Sequence, residues 1–344
     1  MPEKRFIYDF SYKELKVLLD GWGEPSFRIT QIWEGLYSHL WNRPEEFPNI
    51  PKTLQSKFAN EFSLSHLTPQ KELVSADGYT NKTLLGLPDG TAVEAVLMEY
   101  DKRRTLCIST QVGCAVGCRF CATGQMGFQK NLTSGEIIEQ VLFYARSLRK
   151  MGEKVTNIVY MGMGEPFLNY EATLESIKRL NHPEGFNLGA RRFTISTVGI
   201  IPQIEKFTQE KSQINLAISL HAADNKLRSS LIPINEQYPI EDLMEVCQAY
   251  INHTGRRVTF EWALIHQIND SIEQAEKLSK LLKGMNCHVN VIPLNPTTDF
   301  DGKKALPQQV DAFTSILEKN KIPCTVRVRR GIDIQAGCGQ LASS

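Results

Sequence analysis

From about residue 100 the chain alternates between short β-prone runs and longer stretches of helical periodicity, and this alternation limits the fold more than any other feature. The β-prone runs are TLCIST (105–110), NIVYMG (157–162), RFTIST (192–197), INLAISL (214–220), RVTFEWAL (257–264) and HVNVIPL (288–294). Between them lie TSGEIIEQVLFYARSLRK, NYEATLESIKRL, IPQIEKFTQ, IEDLMEVCQAYINH and SIEQAEKLSKLLKG, the first opening on a Thr133-to-Glu136 capping box. LPQQVDAFTSILEKN and a strand-like CTVRVR follow. Strands joined through helices pair in parallel by right-handed crossovers. Six such units predict an α/β fold, either an open partial barrel or a doubly wound sheet. GMGEP has glycines but not the dinucleotide fingerprint, which sets a Rossmann reading aside.

The upstream part reads differently. Ser11 caps a helical SYKELKVLLDG, SFRITQIWEGLYSHLW has apolar residues at helical spacing, and PKTLQSKFANEF starts on proline. KTLLGLPDGTAVEAVLMEY then places two β-prone runs around an Asp89-Gly90 turn. The expected organisation is a helical accessory domain at 1–75, a β-hairpin linker at 76–100, an α/β core at 101–335 and a tail at 336–344.

At 344 residues, an accessory domain beside one large core is the natural expectation. No window reaches the roughly 18 apolar residues of a membrane span, and the N-terminus carries charges throughout, so a cytoplasmic protein is expected. In a reducing compartment, clustered thiols point to metal binding or catalysis before disulfides. The net charge of +1 does not announce a nucleic-acid binder, although arginines cluster at 103–104, 191–192, 256–257 and 327–330.

In parallel α/β folds, chemistry gathers in loops at the C-terminal ends of strands. CAVGCRFC (Cys114, Cys118, Cys121) follows the first predicted strand, and Gly164-Glu165 of MGMGEP follows the second. Ser196 ends the third, Ser219 and His221 end the fourth, and Asn295 of IPLNP follows the sixth. Structural zinc needs four protein ligands, and this C-x3-C-x2-C cluster supplies three with no local fourth. Three thiolates suit a four-iron cluster with one iron open to a small molecule, and zinc or isolated thiols are the competing readings.

That spacing resembles the signature of the radical S-adenosylmethionine (SAM) superfamily. The resemblance implies a [4Fe-4S] cluster on Cys114, Cys118 and Cys121, SAM chelated by the open iron, and cleavage to a 5′-deoxyadenosyl radical. Gly164-Glu165 occupies the place of the motif beside the methionyl amine. Two more thiols narrow the family. Cys338 lies in DIQAGCGQL near the chain end. Alternation puts Cys107 of TLCIS on the face opposite Leu106 and Ile108, hence toward a barrel interior if the apolar face meets helices.

CISTQVGCAVGCRFCATGQMGF, MGMGEP, FTISTVG, AISLHA, IPLNP and DIQAGCGQL together, with GEPSFRITQIWEGLY upstream, resemble the RlmN/Cfr family of RNA adenosine methyltransferases. The resemblance covers nearly the whole chain and implies a partial (β/α)6 radical SAM barrel. By it, one SAM methylates Cys338, and a second yields the radical that activates the S-methyl group toward adenine. A transient RNA–protein crosslink follows, and Cys107 resolves it by a disulfide with Cys338. Ser196, Ser219, Leu220, His221 and Asn295 contact SAM, and Glu94 of AVEAVLM is the proton acceptor, with Cys107 a competing base. The expected substrates are 23S rRNA and tRNA beside the anticodon, methylated at adenine C2; C8 methylation of 23S rRNA and a non-catalytic zinc-binding RNA module are the alternatives. An electron donor such as flavodoxin or ferredoxin and a monomeric state are implied as well. Cys247, Cys287 and Cys324 are expected to be packing residues.

Overall fold

The computed structural model describes residues 4–342. Ten strands form one sheet, running from edge to edge as Thr68–Val74, Thr80–Gly86, Ala92–Tyr100, Arg103–Cys107, Asn157–Tyr160, Phe193–Thr197, Asn215–Ser219, Val258–Leu264, Cys287–Pro293 and Cys324–Val326. The first four pair antiparallel. From Arg103–Cys107 onward every pairing is parallel.

Spatial order follows chain order throughout, and this decides between the two architectures the sequence left open. A doubly wound sheet needs a reversal of strand order. Without one, right-handed crossovers put the helices Ser134–Lys150, Tyr170–Asn181, Ile201–Gln209, Ile240–Thr254, Ile272–Leu281 and Pro307–Lys319 on one face. The other face curves into an interior. The two edge strands do not pair with each other, so the molecule is an open, partial barrel. Leu106, Ile158, Ile195, Leu216, Phe260 and Val289 of the strands are buried, as are Val141, Ile177, Ile204, Leu243, Leu278 and Phe313 of the helices.

Two expectations change. CTVRVR contributes a seventh parallel strand, Cys324–Val326, beside Cys287–Pro293. The hairpin is no separate linker: its strands belong to the main sheet, extended by Thr68–Val74 from the segment expected to be helical. The physical reason is the free side of Arg103–Cys107, whose backbone donors and acceptors need a partner strand. Thr68–Val74 escaped notice because it is an edge strand with almost no buried side chain and so no apolar alternation.

The expected N-terminal helices form as Tyr12–Gly21, Arg28–Tyr37 and Lys52–Glu61, the first with the Ser11 capping box. This part docks on the outer helices. Asp9 accepts from the Gly135 amide at 2.9 Å, and the Tyr8 hydroxyl accepts from Arg146 at 3.1 Å. The buried Glu139 carboxylate receives the Ser65 hydroxyl and the His66 and Leu67 amides. Among the described residues no helix is long and apolar enough to cross a membrane.

Candidate active site

One cavity opens at the C-terminal ends of the parallel strands. Its walls include Cys114, Cys118, Cys121, Gly164, Glu165, Ser196, Ser219, His221, Asn295 and Cys338. Residues scattered over more than 220 positions of sequence thus meet because they stand at or beyond the C-terminal ends of strands of one parallel series.

The cysteine loop is braced on both sides. Gln111–Gly113 pairs with Phe128–Asn131, and the loop beyond turns at Gly117, whose φ is +67°. The Ala122 amide donates to Gly339 O at 2.8 Å and the Thr123 hydroxyl to Leu341 O at 2.6 Å, fastening the loop to the C-terminal tail. Among the described residues no three His, Cys, Asp or Glu side chains converge tightly enough for a single metal ion. Zinc would draw its ligands to about 2.3 Å from one centre. Three thiols lining one cavity with no fourth local ligand suit an iron–sulfur cluster better than structural zinc. Burial pushes the Cys118 thiol well up and Cys114 up to about 12, so binding iron would release protons.

Gly164 adopts φ +98°, and a Cβ there would stand 2.6 Å from Gln111 Cβ; only glycine lets the chain pass. Gln111 Oε1 in turn accepts from the Glu165 amide at 2.8 Å. The Glu165 carboxylate accepts from the Val198 and Phe167 amides, both at 2.9 Å, yet burial dominates and lifts its pKa to about 7. Ser196 and Ser219 hydroxyls lie 3.3 Å apart on adjacent strands. His221 sits at φ +58° with Nδ1 accepting from the Ala263 amide at 2.8 Å. Burial, then Arg228, lowers its pKa to about 3, so the ring is neutral with its proton on Nε2.

Cys107 and Cys338 lie within electrostatic reach of each other and of Arg327, a residue the sequence offered only as part of a basic cluster. Cys338 is exposed because it fronts the cavity, but protein surrounds it at slightly longer range. Burial therefore raises its thiol pKa, Arg327 pulls it down, and Glu261 and Cys121 push it up. Burial, then Cys338, raises Cys107 to about 12 against the pull of Arg327. Burial opposes the charge on Arg327, but Cys338, Glu261, Tyr100 and Cys107 outweigh it. Glu261 completes the group: it lines the cavity, takes a 2.9 Å hydrogen bond from Asn290, and lies 3.8 Å from Arg327. Its signal was available, as a carboxylate inside the otherwise apolar VTFEWAL.

Three expected residues, Cys107, Leu220 and Glu94, do not line the cavity. Leu220 is wholly buried and not part of the cavity wall; its amide donates to Glu261 O and its carbonyl accepts from Arg228. Glu94 pairs with Lys82 at 2.8 Å, both side chains buried, and accepts the Ala342 amide at 3.0 Å. Asn295 reaches the tail as well as the cavity: Nδ2 donates to Cys338 O at 3.2 Å, and Oδ1 accepts from Arg329 at 3.0 Å.

The Radical SAM superfamily model matches residues 108–279. A probable dual-specificity RNA methyltransferase RlmN of Chloroflexus aurantiacus is 46% identical, over 99% of this chain and 93% of its own length. The ribosomal RNA large subunit methyltransferase N of Nitrosopumilus maritimus is 45% identical, over 97% of each. A crystal structure of a radical SAM methyltransferase from Sphaerobacter thermophilus superposes with a TM-score of 0.97 at 48% identity, covering 99% of this chain and all of that one. A [4Fe-4S] cluster and SAM are the cofactors of such an enzyme, and the thiol-lined cavity suits both. The chain belongs to the radical SAM superfamily and, within it, to the RlmN family of RNA methyltransferases.

Proposed function

We propose that the chain methylates C2 of an adenosine in 23S rRNA and in tRNA beside the anticodon, with Cys338 as the methyl carrier. The observation that carries this reading is that Cys338 lines the same cavity as Cys114, Cys118 and Cys121, while Cys107 lies close enough to feel the charges of both Cys338 and Arg327. Adenine C2 is not nucleophilic, so direct polar methyl transfer fails, whereas a thiol can be a nucleophile, a carrier and a disulfide partner. Cys114, Cys118 and Cys121 would hold the iron–sulfur group, which with SAM would supply a hydrogen-abstracting 5′-deoxyadenosyl radical.

The chain's own residues do the rest. Cys338, its negative charge favoured by Arg327, accepts a methyl group from a first SAM. The S-methyl group loses a hydrogen atom to the 5′-deoxyadenosyl radical, its carbon bonds to adenine C2, the adduct's unpaired electron would return to the iron–sulfur group, and Glu94 takes the C2 proton. Cys107 then attacks the Cys338 sulfur, forming the disulfide as the methylated base leaves. Gly164, Glu165, Ser196, Ser219, His221 and Asn295 hold SAM, with Leu220 packed behind Ser219 and His221. The N-terminal helical part that precedes Thr68–Val74 holds RNA, and the enzyme works as a cytoplasmic monomer fed by a flavodoxin or ferredoxin.

The RNA methyltransferases of Chloroflexus and Nitrosopumilus to which the chain is similar support an RNA substrate, ribosomal RNA in the second case. C8 methylation would use the same thiols. Mass-spectrometric mapping after anaerobic reaction with 23S rRNA fragments and tRNA separates the two: 2-methyladenosine is expected, and 8-methyladenosine overturns the choice. Cys107→Ala is expected to accumulate an RNA crosslink and Cys338→Ala to form none. Full turnover by Cys338→Ala would remove the carrier step.

A further inference from the structure

Glu261 is 4% exposed, lines the cavity and has one carboxylate oxygen that takes no hydrogen bond from the protein. Oε1 accepts from Asn290 at 2.9 Å, whereas Oε2 stands 3.8 Å from Arg327 Nη1, beyond hydrogen-bond reach. A buried carboxylate oxygen in this state is costly, so its place at a cavity wall points to a ligand that brings the missing donor. From this geometry we infer that Glu261 and Arg327 read the Watson–Crick edge of the target adenine, Glu261 Oε2 accepting from the 6-amino group and Arg327 donating to N1. The inference rests on the reading of adenine C2 as the carbon that receives the methyl group from Cys338.

Strand register places the pair. Ser219, Glu261, Asn290 and Thr325 are successive partners across four parallel strands, so their side chains share the inner face of the sheet. Arg327 lies two residues beyond Thr325, and its amide continues the pairing to Val291 O at 2.9 Å, which turns it to the same face. The anionic groups that act on Arg327 are Cys338, Glu261, Tyr100 and Cys107, none of them a clustered cysteine. The pair therefore belongs to the part of the cavity where the two thiols work, away from the part where Cys114, Cys118 and Cys121 would hold the cluster.

Between the purines, this chemistry selects adenine. A carboxylate only accepts and a guanidinium only donates. Adenine offers the converse on neighbouring edge atoms, a donor at N6 and an acceptor at N1, whereas guanine reverses both with O6 and N1–H. Enzymes that act on an extruded base read it along this edge. C2 is bonded to N1, so a grip here brings C2 to the thiols and turns C8, on the other ring, away. Once Cys338 carries its methyl group the sulfur is neutral, and Arg327 has lost one anionic partner by the time the base arrives.

The test is a single-turnover competition on cluster-loaded enzyme already methylated at Cys338, with tRNA carrying adenosine, purine riboside (no 6-amino group) or 1-deazaadenosine (no N1) at the target position. The wild type is expected to favour adenosine over each analogue by about a hundredfold or more. Glu261→Gln and Glu261→Met should cut the preference over purine riboside to below about tenfold and keep that over 1-deazaadenosine, and Arg327→Met should do the reverse. Ratios compared between enzymes cancel the intrinsic reactivity of each base, and a merely structural defect would slow all three RNAs alike. A wild type that uses the three RNAs equally, or ratios unchanged in the variants, would overturn the inference. So would an equal loss on all three RNAs with weakened SAM binding, which would assign Glu261 to SAM. A wild-type product of 8-methyladenosine would instead overturn the C2 reading beneath it.

Discussion

Arg327 is the side chain whose surroundings matter most to the two-thiol chemistry. Burial alone would keep Cys107 and Cys338 protonated, and the guanidinium is the opposing charge both share. Arg327→Met should therefore shift the alkylation of Cys338 by iodoacetamide to higher pH and slow it severalfold at pH 8. An unchanged profile would mean that the cation does not act on the thiol. His221 gives a second pH effect of known sign. Its folded pKa is about 3 against 6.5 for the free side chain, so between those values the unfolded chain binds a proton the folded one does not. Its contribution to stability is full above pH 6.5 and falls as pH drops toward 3. Urea unfolding from pH 7 to 4 should show this slope in the wild type and a shallower one in His221→Gln.

At the scale of elements, the C-terminal tail acts as a strap across the barrel mouth. It is held at Asp333 by the Ala76 amide, at Gln335 O by Lys82, at Cys338 O by Asn295 and at Ala342 by Glu94. Lys82 and Glu94 join the antiparallel strands to the strap while pairing with each other at 2.8 Å, their side chains 5% and 2% accessible. Removing one partner of a buried pair costs about 3–5 kcal/mol, whereas replacing both with apolar side chains is often neutral. Lys82→Met should therefore lower unfolding stability by that amount, and Lys82→Met/Glu94→Met should recover most of it. Activity should stay low in the double variant if Glu94 is the proton acceptor. Gly164 shows the same dependence on backbone: Gly164→Ala meets both a left-handed φ and the Gln111 side chain, and should weaken SAM binding, measured by equilibrium dialysis, at least tenfold.

For the whole molecule, the parallel sheet sorts the arginines by end. Arg103-Arg104, Arg191-Arg192 and Arg256-Arg257 stand at or just before the starts of parallel strands, at the end opposite the cavity. Several are already engaged, Arg104 with Glu99 and Glu153, and Arg256 with Gln213 and Asn215. Of the arginine clusters, the one formed by Arg327, Arg329 and Arg330 follows a strand toward the cavity, and Arg330 lies over the Tyr79 and Tyr100 rings. Arg191→Ala/Arg192→Ala and Arg256→Ala/Arg257→Ala should leave tRNA affinity within about twofold and its salt dependence unaltered. A loss of tenfold or more would move the RNA to the other end of the barrel.

The sequence by itself determined the alternation of strands and helices, the helix caps at Ser11 and Thr133, and the position of each cavity residue just past its strand. These are legible because periodicity, capping and strand ends are local. It did not decide between a doubly wound sheet and a partial barrel, since strand order is a matter of pairing between distant segments. Nor did it separate Arg327 from its neighbours, foretell that Lys82 would face Glu94, or show Thr68–Val74 to be an edge strand. Those outcomes depend on which backbone edges need a partner and which charges burial brings together, and both are settled only when the chain has closed on itself.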